Sequence, residues 1–147
     1  MDALTLLKDD HKRIRKLLSD GEDTTERARV GRAEIFTKLS DVLKMHERRE
    51  EEVLYPALKA HEKAKDIVLE GYEEHHVADV ILAELSGTDV TDEVWAAKFA
   101  VLKENLEHHI EEEEGEMFRK ARQLLSDEEL ASLGERMAAI RDGGRAD

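Results

Sequence analysis

The sequence predicts an all-α protein, a bundle of four helices followed by a short fifth, and three observations predict it. Charged residues make up 40% of the 147 and aromatics 4%, with a single proline, a composition of helix formers rather than strand formers. Apolar residues recur at alternating spacings of three and four, the seam of a helix facing a bundle core, and no period-2 stretch of useful length appears. Start and stop signals then cut the chain into four main segments and a tail.

The first segment runs from about residue 3 to 19 and ends at Asp20-Gly21; its seam is Leu4, Leu7, His11, Ile14 and Leu18. The second follows Asp23-Thr24-Thr25, where a threonine is placed to cap the free amides, and reaches about Leu54 ahead of Pro56. Its seam is Ile35, Leu39, Val42, His46, Glu50 and Val53. The third covers about 62–85, closed by Ser86-Gly87, with seam Val68, Gly71, His75, Ala78, Leu82 and Leu85. The fourth starts after Thr91 and reaches about Leu125, with seam Trp95, Phe99, Leu102, Leu106, His109, Glu113 and Met117. Ser126-Asp127-Glu128-Glu129 reads as a capping box opening a fifth helix, apolar along Leu130, Leu133, Met137 and Ile140 and ending near Gly143-Gly144 before a frayed tail. Residues 1–125 are thus expected to form the bundle and 126–147 the short helix and tail.

Each of the four seams is apolar except where a histidine sits, and twice a glutamate follows four residues later. His109 lies on its seam while the adjacent His108 points roughly 100° away; the same logic selects His75 over His76. An internal repeat supports this. "HERREEEVLYPAL" (46–58) aligns without gaps on "HIEEEEGEMFRKA" (109–121), and "DDHKRIRKLL" (9–18) on "EEHHVADVIL" (73–82). The chain therefore reads as two similar helical hairpins, each carrying H…HxxxE. Packed face to face, they bring His11, His46, His75 and His109 to one place with Glu50 and Glu113. The other glutamates of 51–52 and 111–114 are expected to be mostly solvated, and His61, His76 and His108 to lie on the surface.

Residues four apart on a helix lie one above the other, so HxxxE delivers an imidazole nitrogen and a carboxylate to the same point. Two buried carboxylates cost several kcal/mol each unless neutralised, on the order expected for buried ions. Divalent cations provide the neutralisation, and two bidentate carboxylates can bridge a pair of them. Imidazole with carboxylate and no thiolate suits iron, manganese or zinc, and four-helix bundles host dinuclear carboxylate sites.

The rest of the composition narrows the function. A formal net charge of −13 argues against nucleic acid and against an anionic membrane surface as partners. With no cysteine, disulfides, zinc–thiolate sites and iron–sulfur clusters are excluded. The stretch "MDALTLLKDDHKRIRKLL" lacks the pattern of a signal peptide, and no apolar run reaches ~20 residues, so a cytoplasmic protein is expected. No nucleophile triad, phosphate loop or hydride-cofactor fingerprint is present.

At residues 3–125 the sequence resembles the hemerythrin-like proteins, or HHE cation-binding domains. "LLKDDHKRIRKLL", "HERREEEVLYPAL", "EEHHVADVILAEL" and "HHIEEEEGEMFRKAR" look like that family's four motifs in order. The resemblance implies an up-down-up-down four-helix bundle around two Fe ions with an oxo or hydroxo bridge. It assigns His11 and His46 to one iron, His75 and His109 to the other, and Glu50 and Glu113 to both as bridges. Two departures from the oxygen-carrying members stand out. Glu113 stands where they have an aspartate one residue further on, and Asp79 occupies the place of their fifth histidine. Asp79, Glu47 and Tyr72 are candidates for the vacated position, which is otherwise left to water or an exogenous ligand.

An open position on an iron pair makes O2, H2O2 or NO the expected ligands. Replacing imidazole by carboxylate or water favours the ferric state and turnover, so H2O2 decomposition of a catalase or peroxidase kind is the leading expectation. Reversible O2 or NO binding and storage is one alternative, and an iron or redox sensor is another. No residue is assigned a catalytic role from the sequence.

Overall fold

The computed structural model describes residues 1–141, and among them all regular elements are helical. Helix α1 (Ala3–Glu22) starts at Asp2, whose carboxylate accepts from the Thr5 amide at 2.8 Å. It runs past the expected stop at Asp20-Gly21 because Gly21 is a packing glycine: a Cβ there would collide with the Phe99 ring.

Helix α2 is α-helical over Arg29–Arg49, widens into a π-helical turn at Glu50–Leu54, and resumes over Tyr55–Lys59. Neither threonine caps it, since the N-cap is Ala28 with no side-chain bond. Thr25 instead accepts from the Arg27 amide, and Thr24 bonds the Gly21 carbonyl. Pro56 does not end the helix. The π turn pairs the Tyr55 N–H with the Glu50 carbonyl, and Pro56 falls at the start of the following segment, where a missing N–H is tolerated.

A 3-10 turn (Glu62–Ala64) leads into α3 (Lys65–Ser86). Helix α4 is capped by Asp92 and repeats the architecture of α2: α-helix over Glu93–Glu112, a π turn at Glu113–Met117, α-helix again over Phe118–Leu124. In both helices the π turn begins at the glutamate of HxxxE. The expected capping box at Ser126 is formed in both directions and opens α5 (Asp127–Ala138). Helix α5 ends before the Gly143-Gly144 expected from sequence; that pair and the tail lie outside the described residues.

Short connections fold the four long helices into an up-down-up-down bundle, with α5 against α1. The seams of α1, α3 and α4 are buried at every position read from the sequence. In α2 Ile35 is only half-buried, and Arg32 is buried one turn earlier. The Arg32 guanidinium lies 4.6 Å above the Trp95 ring and donates to the carbonyls of Thr24 (2.8 Å) and Val90 (2.6 Å), tying together the two loops at that end. The apolar side of α5, Leu130, Leu133, Met137 and Ile140, is buried on the bundle. No described helix is long and apolar enough to cross a membrane.

Candidate metal centre

The one long break in the apolar core is a polar cluster halfway along the four helices. His11 comes from α1, His46 and Glu50 from α2, His75 from α3, and His109 and Glu113 from α4, and all six are buried. Ligand atoms of His11, His46, Glu50 and Glu113 lie within 4.8 Å of one another, as do those of Glu50, His75 and His109. His108 and His76 point outward as expected, while His61 is half-buried.

Glu113 faces both halves of this cluster. Its Oε1 lies 2.9 Å from His11 Nε2 and 3.9 Å from His46 Nε2, and its Oε2 is 3.4 Å from His109 Nε2. Glu50 Oε1 lies 3.4 Å from His46 Nε2 and 2.9 Å from His75 Nε2. Every inward imidazole atom is thus an Nε2, because every Nδ1 is taken by an outer carboxylate. Asp10 holds His46 (3.1 Å), Glu74 holds His109 (2.9 Å), Glu51 holds His75 (2.7 Å) and Glu114 holds His11 (2.6 Å). An ionised carboxylate only accepts, so each Nδ1 donates outward and Nε2 is the ring atom left to face the centre.

This outer ring was legible in the repeat but not read there. Asp10 and Glu74 each precede a ligand-type histidine, and Glu51 and Glu114 each follow a bridging-type glutamate, at matching positions of the two halves. Solvation was expected for Glu51 and Glu114. Their side chains are only 38% and 28% exposed, because the turn that carries Glu50 or Glu113 inward leaves its neighbour over the facing ring. Arg49 extends the ring: it donates to Asp10 at 2.7 Å and to the Ile140 carbonyl at 2.7 Å, linking His46 to the end of α5.

Tyr55 also belongs to the cluster, and its place there is not marked by the repeated histidine and glutamate spacing. Its ring stacks on His75 (5.4 Å), and its hydroxyl donates to Glu113 Oε2 at 3.2 Å, 3.4 Å from both Glu50 Oε1 and His75 Nε2. Gly71 makes the space, for a Cβ there would lie 2.6 Å from the Tyr55 hydroxyl. The three lesser candidates lie outside the two groups of converging ligand atoms. Tyr72 is half-buried and packs edge-on against Tyr55 (5.1 Å). Asp79 is exposed and bonds the buried Glu47, whose Oε2 has no partner. Glu47 lines an interior cavity of about 10 Å³ together with His46, His75 and His109.

The electrostatics show a site built for a cation. Burial, then the facing Glu113 carboxylate, pushes Glu50 well above the carboxyl range. Burial works to raise Glu113 too, but its contacts with Glu50, His109 and His11 outweigh it and hold Glu113 well below. Burial pulls His46 down to about 4. The same burial opposes protonation of His109, yet the Glu113 carboxylate 3.4 Å from its Nε2 and the Nδ1 bond to Glu74 raise it to about 10. Burial and the shared bond with Asp79 raise Glu47 to about 9. Protons therefore fill in for missing positive charge. Even so, His46 Nε2, His109 Nε2 and Glu50 Oε2 are buried without a hydrogen-bond partner. Unpartnered buried atoms of this kind, with an imidazole and carboxylate donor set, fit a metal such as iron.

The model of the "Hemerythrin HHE cation binding domain" family matches residues 2–121. Among solved structures, the chain is similar to a hemerythrin HHE cation binding domain-containing protein from Mycobacterium kansasii, at 29% identity and a TM-score of 0.82, covering 95% of this chain and 84% of that one. No curated protein sequence matches. By its sequence over four helices, its bundle fold and its convergent histidines and glutamates, the chain belongs to the hemerythrin HHE cation-binding family.

Proposed function

We propose that the protein is a non-haem di-iron protein that decomposes H2O2. His11 and His46 would hold one iron, His75 and His109 the other, with Glu50 and Glu113 spanning both. The observation that carries the metal reading is the set of inward Nε2 atoms, each fixed by a carboxylate behind it, with His46 Nε2, His109 Nε2 and Glu50 Oε2 buried without a hydrogen-bond partner. The two irons, when bound, supply the redox equivalents and the open coordination position for peroxide disproportionation to water and dioxygen.

The chain's own residues supply the rest. Leu43, Leu106, Ile14 and Ile110 line the small cavity beside His46, His75 and His109, so bulk water and organic substrates are excluded and only a ligand of a few atoms fits. Glu47 lines the same space, and burial with the exposed Asp79 beside it raises its carboxyl to about 9 in the metal-free protein. A carboxyl so placed can give a proton to a peroxide oxygen and recover one from solvent through Asp79. This favours turnover over reversible O2 or NO binding, which needs no such exchange. Tyr55 holds Glu113 and Glu50 at fixed separation.

The test has two stages. Iron per chain is measured first, with about two expected from the paired ligand sets. The loaded protein is then mixed with H2O2 on an oxygen electrode; steady O2 evolution is expected, and Glu47→Gln should slow it without loss of iron. A stable coloured adduct with O2 or NO and no O2 evolution would favour the storage reading instead.

A further inference from the structure

A second opening reaches the centre from the side of α3 and α4. A cavity of about 70 Å³ is floored by His109 and Glu113 and rimmed by Glu70, Glu74, Glu112 and Glu116. Its depth follows a gradient: Glu70, Glu112 and Glu116 are exposed, Glu74 is half-buried, and His109 and Glu113 are buried. No lysine or arginine lines it among the described residues. Two rim carboxylates have partners outside it, Glu112 with His108 (2.9 Å) and Glu116 with Lys120 (3.8 Å), both on the same helix.

An acidic rim alone is ordinary surface. What distinguishes this one is its floor, where His109 Nε2, on a residue only 5% exposed, has no hydrogen-bond partner. Carboxylates of one sign around a low-dielectric opening concentrate cations and repel anions. Divalent ferrous iron arrives hydrated and must exchange water for protein oxygen before it enters an apolar core.

We propose that this cavity is the port by which a divalent cation loads the centre. Glu70, Glu112 and Glu116 collect the hydrated ion and exchange its waters, and Glu74 orients His109 to receive it beside Glu113. The inference rests on the metal-centre reading of the preceding section.

The test compares metal-free protein with the variant Glu70→Gln/Glu112→Gln/Glu116→Gln, mixed anaerobically with ferrous iron or with cobaltous ion as a spectroscopic probe. A charge-matched control, Glu34→Gln/Glu104→Gln/Glu135→Gln, alters exposed carboxylates that do not line the cavity. Parent and control should load quickly, with a rate that falls as salt is added. The port variant should load roughly tenfold more slowly, with a flatter salt dependence, and still reach the parent's final metal content. Equal loading rates for port variant and control, or a lower final metal content in the port variant, would overturn the port. Failure of the parent itself to bind metal would instead remove the metal-centre reading.

Discussion

Tyr55 and Phe118 occupy equivalent places in the two halves of the bundle, and only Tyr55 carries a hydroxyl. Each follows its π turn directly, and each ring stacks on a histidine, Tyr55 on His75 at 5.4 Å and Phe118 on His11 at 5.9 Å. The phenol therefore breaks the symmetry that the histidines and glutamates keep. Tyr55→Phe should preserve fold and metal content, because the stack remains, while removing the donor to Glu113. A lost bond to a charged group costs ~1.5–3 kcal/mol, seen as a lower midpoint in denaturant. The visible spectrum of the loaded protein should shift, and an unchanged spectrum would show that the hydroxyl does not influence the centre.

His108 and His109 provide the sharpest contrast in the chain. The His108 side chain is 69% exposed and pairs only with Glu112, whereas His109 is buried between Glu74 and Glu113. His109→Ala should lose most bound metal and lower the melting temperature. His108→Ala should do neither. Elemental analysis decides it, and equal metal loss from both variants would contradict the facing of α4.

Proton release should accompany metal binding. In the metal-free protein His109, raised to about 10, holds a proton at pH 7, and Glu50, held well above the carboxyl range by burial and Glu113, favours another. A metal must displace them, so loading in weakly buffered solution should acidify the medium by roughly one proton or more per chain. Affinity should rise with pH across the neutral range. The sign for metal-free stability also follows. His109 contributes stability fully below its unfolded value near 6.5, and loses it as pH rises toward 10. His46, lowered to about 4, contributes above 6.5 and loses its contribution as pH falls toward 4. Neutralising His109 by His109→Gln should flatten the alkaline limb of the melting curve and leave the acid limb.

Gly71 and Gly115 should respond oppositely to alanine. A Cβ on Gly71 meets the Tyr55 hydroxyl at 2.6 Å and Cζ at 2.8 Å, whereas a Cβ on Gly115 meets nothing within 4 Å. Overpacking at Gly71 should cost ~1–3 kcal/mol and displace Tyr55. Gly115→Ala should be neutral or stabilise by up to ~1 kcal/mol through helix propensity. Denaturant titration of the metal-free protein measures both.

Arg49 should couple the centre to α5. It joins Asp10, which holds His46, to the carbonyls of Met137 and Ile140. Arg49→Met leaves Asp10 buried with one partner fewer and frees the end of α5, at a cost of ~3–5 kcal/mol for a broken buried pair. Hydrogen exchange over 127–138 should accelerate more than over the four long helices. Uniform acceleration would mean that α5 is held by its apolar face alone.

The sequence by itself determined the helices, the seams and the six converging residues. A period near 3.6 selects one face of each helix regardless of what lies opposite, and a buried histidine or glutamate on that face has to be met by something polar. The repeat then placed the two halves in the same register. Element ends were less legible. Gly21 reads as a stop but is spared its helix-breaking role by Phe99, and Pro56 reads as a stop but is admitted by the π turn at Glu50–Leu54.

Only the tertiary structure decided which neighbours complete the site. Whether Glu51 or Glu114 meets solvent or a histidine depends on the facing helix, and no pattern within its own helix records that. Tyr55 reaches the carboxylates because Gly71, on another helix, leaves room for its hydroxyl. Arg49 reaches α5 only after the whole bundle has closed. Side-chain periodicity is a local property, so it survives in the sequence; hydrogen-bond partnership across helices is a property of the packed molecule.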